Sequence, residues 1–197
     1  MPLFEPLPPD RLSRRVFLIT PVAFAGLIGP FIRRERQLPD AAQNGTGPEI
    51  TIVLFSANGL RQTSVHVRKV LKSQSAWKRE LSTEEYAITR RQGTELAFTG
   101  RYWNNNAAGV YRCVCCGNAV FRSNEKFDSG TGWPSFDAPA AEENIALRQD
   151  TSLSAERTEV QCRKCDAHLG HVFNDGPAPT GLRFCLNSAA LRFVKRV

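Results

Sequence analysis

Four of the six cysteines in this 197-residue chain recur as two Cys-x-x-Cys pairs, Cys113-Val114-Cys115-Cys116 and Cys162-Arg163-Lys164-Cys165. Two sulfurs three residues apart on a tight turn chelate one ion, and a second such turn completes a tetrahedron. Gly117 and Asp166 follow the pairs, residue types that tolerate the left-handed backbone such a turn needs. The expectation is one structural Zn2+ per chain, held by Cys113, Cys116, Cys162 and Cys165, with no coordination position left for substrate. The 45 residues between the pairs exceed the usual ribbon spacing, so a sizeable insert must connect them. Disulfides are the competing reading for six cysteines in an exported chain; the duplicated spacing favours metal. Cys115 has no partner at the chelating spacing and is expected to point away from the ion.

The sixth cysteine has a different setting. Leu182-Arg183-Phe184-Cys185-Leu186-Asn187 alternates apolar and polar without a break. On a strand, Leu182, Phe184 and Leu186 face a core while Arg183, Cys185 and Asn187 share the other face. A guanidinium beside a thiol favours thiolate, the nucleophilic form. His168 and His171 lie just after the second cysteine pair, where a metal would fix their position from behind. Imidazole near a thiolate supplies protons or activates the sulfur, and Asp175 is placed to hold one ring in a defined tautomer. Gly132-Trp133-Pro134-Ser135-Phe136 is a rigid aromatic turn, either core or the wall of a pocket.

The elements that must position these groups are mostly strands. After Tyr111 the chain runs in short β-rich stretches broken by glycine and proline, with no long helical period, which predicts a mainly β, antiparallel domain. Ser82-Thr83-Glu84-Glu85 has the spacing of a capping box, so a short helix should run from there to about Gly93. Upstream, Ile50–Phe55 and Thr63–Val67 flank Asn58-Gly59 and predict a hairpin that packs on the main domain. His66 is expected to be an exposed residue of that hairpin. Residues 37–49 read as a linker and 68–79 as a solvated basic stretch.

Residues 13–18, Ser13-Arg14-Arg15-Val16-Phe17-Leu18, and the apolar run that continues to Ile32 resemble a twin-arginine export signal. A periplasmic or exported protein is expected. Ala23-Phe24-Ala25 offers a cleavage site, while Arg33, Arg34 and Arg36 after the run leave uncleaved attachment to the inner membrane equally open. Of the net charge of +7, residues 61–79 carry +6 and residues 80–197 sum to zero. A nucleic-acid footprint would place charge around the functional fold, so no nucleic-acid partner is expected. The organisation predicted is 1–36 signal or anchor, 37–76 linker and hairpin, and 77–196 catalytic domain, in a monomer.

Several long stretches, in order, resemble the methionine-R-sulfoxide reductases, the MsrB family. They are Phe98-Thr99-Gly100-Arg101-Tyr102-Trp103, Asp128-Ser129-Gly130-Thr131-Gly132-Trp133-Pro134-Ser135-Phe136, Cys165 to Phe173, Asp175-Gly176-Pro177 and Thr180 to Ser188. The resemblance covers about residues 77–196. It implies two antiparallel sheets (a β-tent) with short N-terminal helices, and zinc on the four named cysteines, far from the pocket. It implies Cys185 as nucleophile, with Trp133 and Phe136 binding substrate. His168, His171 and Asn187 would bond the sulfoxide and water, and Asp175 and Arg183 would support them. The implied substrate is methionine-R-sulfoxide in oxidised proteins, and the implied reductant a thioredoxin-like or other external thiol. Attack by Cys185 would leave a sulfenic acid on its sulfur. Many relatives place a second cysteine before the Gly-Trp-Pro-Ser-Phe turn, whereas this chain has Thr131. Direct reduction of the sulfenic acid is therefore expected. The rival of another class is a non-catalytic zinc scaffold that binds a protein partner.

Overall fold

A computed structural model describes residues 45–152 and 156–196. The export segment expected over 1–36 lies outside the described residues, as does most of the expected linker. Among the described residues no helix is long and apolar enough to cross a membrane.

The predicted hairpin is present and longer than expected. Strands β1 (Gly45–Phe55) and β2 (Arg61–Leu71) pair antiparallel around the Asn58-Gly59 turn. Residues 45–49 are thus strand, not linker, and 68–71 continue β2 instead of forming a solvated stretch. The reason is tertiary: Val70 N–H donates to the Lys164 carbonyl at 2.8 Å, and Lys69 pairs with Asp166 at 2.6 Å. Helix α1 (Gln74–Glu80) follows, capped by Ser73, and buries Trp77 completely. Helix α2 (Thr83–Arg91) starts at the predicted capping box, with Ser82 and Glu85 bonding reciprocally. His66 is exposed, as expected.

The rest is antiparallel sheet, as the punctuated β pattern predicts. Strands β3 (Gly109–Cys113), β4 (Ala119–Arg122) and β11 (Leu191–Lys195) form a three-stranded sheet in the order β11-β3-β4. A six-stranded sheet has the order β5-β6-β10-β9-β8-β7. Its members are β5 (Lys126–Phe127), β6 (Ser135–Phe136), β7 (Ile145–Asp150), β8 (Arg157–Cys162), β9 (His168–Phe173) and β10 (Arg183–Leu186). Two sheets carry the domain, with the hairpin as a third, separate sheet among the described residues.

An aromatic core joins the two larger sheets. Phe121 of β4 meets Phe136 of β6 at 4.8 Å and Phe184 of β10 at 5.5 Å, and Tyr111 of β3 meets Phe136 at 5.1 Å between ring centroids. Such aromatic pairs add to the stabilisation from burial itself. The hairpin has its own small core, where Val53 and Phe55 pack with Val110, Ala119, Ala140 and Ala141. Buried Asn144 clamps it: its side chain accepts the Val53 N–H at 2.7 Å and donates to the Val53 and Ala119 carbonyls at 2.9 and 2.7 Å.

Candidate active site and metal centre

The register of the six-stranded sheet brings distant residues into one row. Ser135, Cys185, His171, Glu159 and Arg148 stand opposite one another across β6, β10, β9, β8 and β7. Directly opposed residues of antiparallel strands project to the same face. The neighbouring row, Phe136, Phe184 and Val172, projects to the other face. Phe136 is fully buried there. This corrects the expectation that Phe136 binds substrate: alternation sends it into the core and turns Ser135 toward Cys185.

Gly170 lets the strands approach this closely. A Cβ at that position would meet the Cys185 carbonyl oxygen at 2.1 Å.

Cys185 is half-buried. Burial pushes its thiol above the ordinary cysteine value, opposed by the Arg183 guanidinium and by hydrogen bonds from Thr131 and Arg183. The cation does favour thiolate, as the sequence suggested, but desolvation outweighs it. Arg183 is held by a bidentate pair to Asp175, at 2.9 and 2.8 Å, and lies 4.6 Å over the Phe173 ring. Asp175 therefore acts on the guanidinium. It does not fix a histidine tautomer, because Arg183 takes both of its oxygens.

Two carboxylates that the sequence did not single out hold the imidazoles. His168 Nδ1 meets Glu159 at 2.7 Å, and His171 Nε2 meets Asp150 at 2.8 Å. The rings lie 5.3 Å apart. Burial raises the Glu159 carboxyl, but hydrogen bonds from His168, Gln161 and Gln92 prevail and lower it. Burial lowers His171, with Asp150 opposing. His168 Nε2 is buried and makes no hydrogen bond within the protein.

Asn187 is buried, and its amide already holds two backbone groups: Oδ1 accepts the Glu95 N–H at 3.0 Å and Nδ2 donates to the Leu169 carbonyl at 3.2 Å. It follows the end of β10 with its backbone still extended, at φ −79° and ψ 130°. Trp133 is half-buried, with Nε1 donating to the Glu95 carbonyl at 3.1 Å. Glu95 itself is buried and accepts the Ser188 and Ala189 N–H groups at 2.6 and 2.9 Å. No local pattern marks Glu95, Glu159 or Asp150, because their partners are distant in sequence.

The metal centre is built as the spacing predicts. Cys113 ends β3 and Cys162 ends β8; each is followed by a turn, closed by Gly117 N–H to Cys113 O and Asp166 N–H to Cys162 O, both at 2.9 Å. Gly117 and Asp166 have φ of 72° and 54°, the left-handed backbone expected. The four sulfurs of Cys113, Cys116, Cys162 and Cys165 lie within 4.8 Å of one another, with two pairs at 3.6 Å. A tetrahedral zinc with Zn–S bonds of about 2.3 Å has sulfur–sulfur edges of about 3.8 Å, so this donor set fits the ion. Cys115 stays outside the four. Its thiol donates to Thr89 of α2 at 3.3 Å.

A β-protein with a four-thiolate knuckle and a separate thiol beside two carboxylate-held histidines is the class that fold and site define. Residues 81–195 match the SelR domain. The chain is 57% identical over 125 residues to the peptide methionine sulfoxide reductase MsrB of Hahella chejuensis, covering 64% of this chain and 90% of that protein. It is 57% identical over 121 residues to the MsrB of Synechococcus sp. (61% and 89%). Against the MsrB of Acinetobacter baylyi the identity is 56% over 124 residues (63% and 89%). The chain belongs to the MsrB family.

Proposed function

We propose that this chain is a peptide methionine sulfoxide reductase that acts on the R epimer, with Cys185 as nucleophile. The convergence of Cys185 with His171 and Glu159 in one row of the sheet carries the reading. Trp133 supplies an aromatic wall for the substrate methyl, and the imidazoles held by Glu159 and Asp150 serve as proton carriers for the sulfoxide oxygen. A sulfoxide sulfur becomes electrophilic as its oxygen gains a proton. The Cys185 thiol is oxidised to a sulfenic acid as the oxygen passes to its sulfur, and the substrate is reduced to methionine. Zinc on the four cysteines would supply structural rigidity alone, since its ligand positions are filled by protein.

An external dithiol, or two thiols in turn, then reduces the sulfenic acid: the first sulfur bonds to Cys185 Sγ with loss of water, and the second displaces the Cys185 thiol and leaves the reductant as a disulfide. Thr131 beside Cys185 is no thiol, and Cys115 is tied to Thr89 and the metal turn. One turnover without reductant should therefore leave one added oxygen on the protein. The deciding experiment is epimer-resolved turnover on an oxidised peptide: wild type should consume the R epimer and leave the S epimer, and Cys185→Ser should consume neither. Wild-type rates for Cys185→Ser would sink the reading.

The site of action we propose is outside the cytoplasm, in repair of exported proteins, on the strength of Arg14-Arg15 and the apolar run after them. Replacing both arginines by lysine should retain the protein in the cytoplasmic fraction; unchanged fractionation would count against export.

A further inference from the structure

Leu96 and Phe98 are large apolar side chains that remain 77% and 56% exposed, two positions apart in one loop. The hydrophobic effect alone would turn such groups inward, so something holds them out. Phe98 has φ +65°, a backbone region that residues with a side chain avoid. Its N–H donates to the Gly132 carbonyl at 2.8 Å, while Trp133 Nε1 donates to the Glu95 carbonyl at 3.1 Å. These two bonds tie the loop at both ends to the Gly132-Trp133 turn. The contact is close: Gly132 has φ +88°, and a Cβ there would meet the Phe98 amide nitrogen at 2.7 Å. Trp103 supports the exposed ring edge-on, at 5.4 Å between centroids. Leu96 and Phe98 thus sit on a loop bonded directly to the turn that carries Trp133.

Strained non-glycine backbone persists where the surroundings over-determine it, and it clusters at ligand clamps. We propose that Leu96 and Phe98 form a docking shelf for the polypeptide that flanks the oxidised methionine, selecting apolar neighbours. The occupant follows from position and chemistry. The shelf borders the turn whose Trp133 would receive the methionine methyl, and methionine is among the residue types most often fully buried, so a methionine sulfoxide reached by the enzyme lies in core surface that has become exposed. The proposal rests on the reductase reading above and adds to it the class of protein substrate: segments of damaged protein that have exposed core sequence.

The test compares two substrates of pure R configuration, N-acetyl-methionine sulfoxide methylamide and a pentapeptide with leucine or valine on both sides of the sulfoxide. For wild type, KM for the peptide should be the lower. In L96S/F98S, KM for the peptide should rise about tenfold as the apolar contact is lost, with kcat unchanged. The small substrate should lose less than about twofold in kcat/KM, because it does not reach the shelf. L96S alone, which leaves the strained Phe98 backbone untouched, should raise the peptide KM about threefold. Equal loss on both substrates in L96S, or no change on the peptide in L96S/F98S, would overturn the shelf. A concentration-dependent dimer of wild type that L96S/F98S abolishes would assign the patch to self-association and also overturn it. Wild type inactive on both substrates would instead refute the reductase reading, so the two failures are distinguishable.

Discussion

Cys185 is under two opposed influences, and their balance sets its reactivity. Burial disfavours the thiolate, while Arg183 and Thr131 favour it, and the net displacement is upward. The thiolate inflection should therefore lie above the ordinary value of about 8.5. Removing the cation should move it higher still, because the charged form loses its partner. Peptide-resolved alkylation of Cys185 against pH reads this directly, with Arg183→Met expected to shift the inflection upward and slow labelling at neutral pH. A downward shift would contradict the role given to Arg183. At this scale the sequence was informative for Cys185, Arg183 and Trp133, since alternation and motif position place them without knowledge of the fold. Alternation gives Asn187 the same side as Cys185; what it could not show is that the amide also ties the backbone of Glu95 and Leu169.

Strands decide which side chains meet. β6 is only two residues long, yet its pairing with β10 sets Ser135 opposite Cys185 and Phe136 opposite Phe184. The motif around Trp133 could be read as core or as pocket wall, and the register assigns its members to opposite faces. The hairpin is the other instructive element, because its strands were foreseen while its extent was not. Strand boundaries depended on Lys164, Asp166 and Asn144, all far along the chain. Asn144→Ala would leave the Val53 N–H and the Val53 and Ala119 carbonyls buried without partners. We expect a loss of about 3 kcal/mol, read as a lower urea midpoint at unchanged m-value. A midpoint equal to wild type would show that the hairpin is not clamped there.

Across the whole molecule, the metal centre joins the two main sheets. Cys113 comes from the three-stranded sheet and Cys162 from the six-stranded one, so an ion at this site fixes their relation from one end while the aromatic core does so from within. Because ligands at such a site come together only on folding, metal affinity is folding free energy. Cys162→Ser should lose the ion and melt at markedly lower temperature, with one zinc per chain measured in wild type and none in the variant. A metal-free variant with an unchanged melting temperature would refute the structural role. What the sequence determined by itself was local: the paired cysteine turns, the capped helix, the alternating strand that carries Cys185 and the motifs of the family. Each depends on residues within a few positions of one another, where spacing and backbone geometry suffice. Only the tertiary structure decided that Glu159 and Asp150, not Asp175, hold the imidazoles, that Phe136 is core, and that Cys115 turns its thiol to Thr89 of α2. Those assignments depend on strand register and on helix packing across tens of residues, and a one-residue change of register would send every side chain of a strand to the other face.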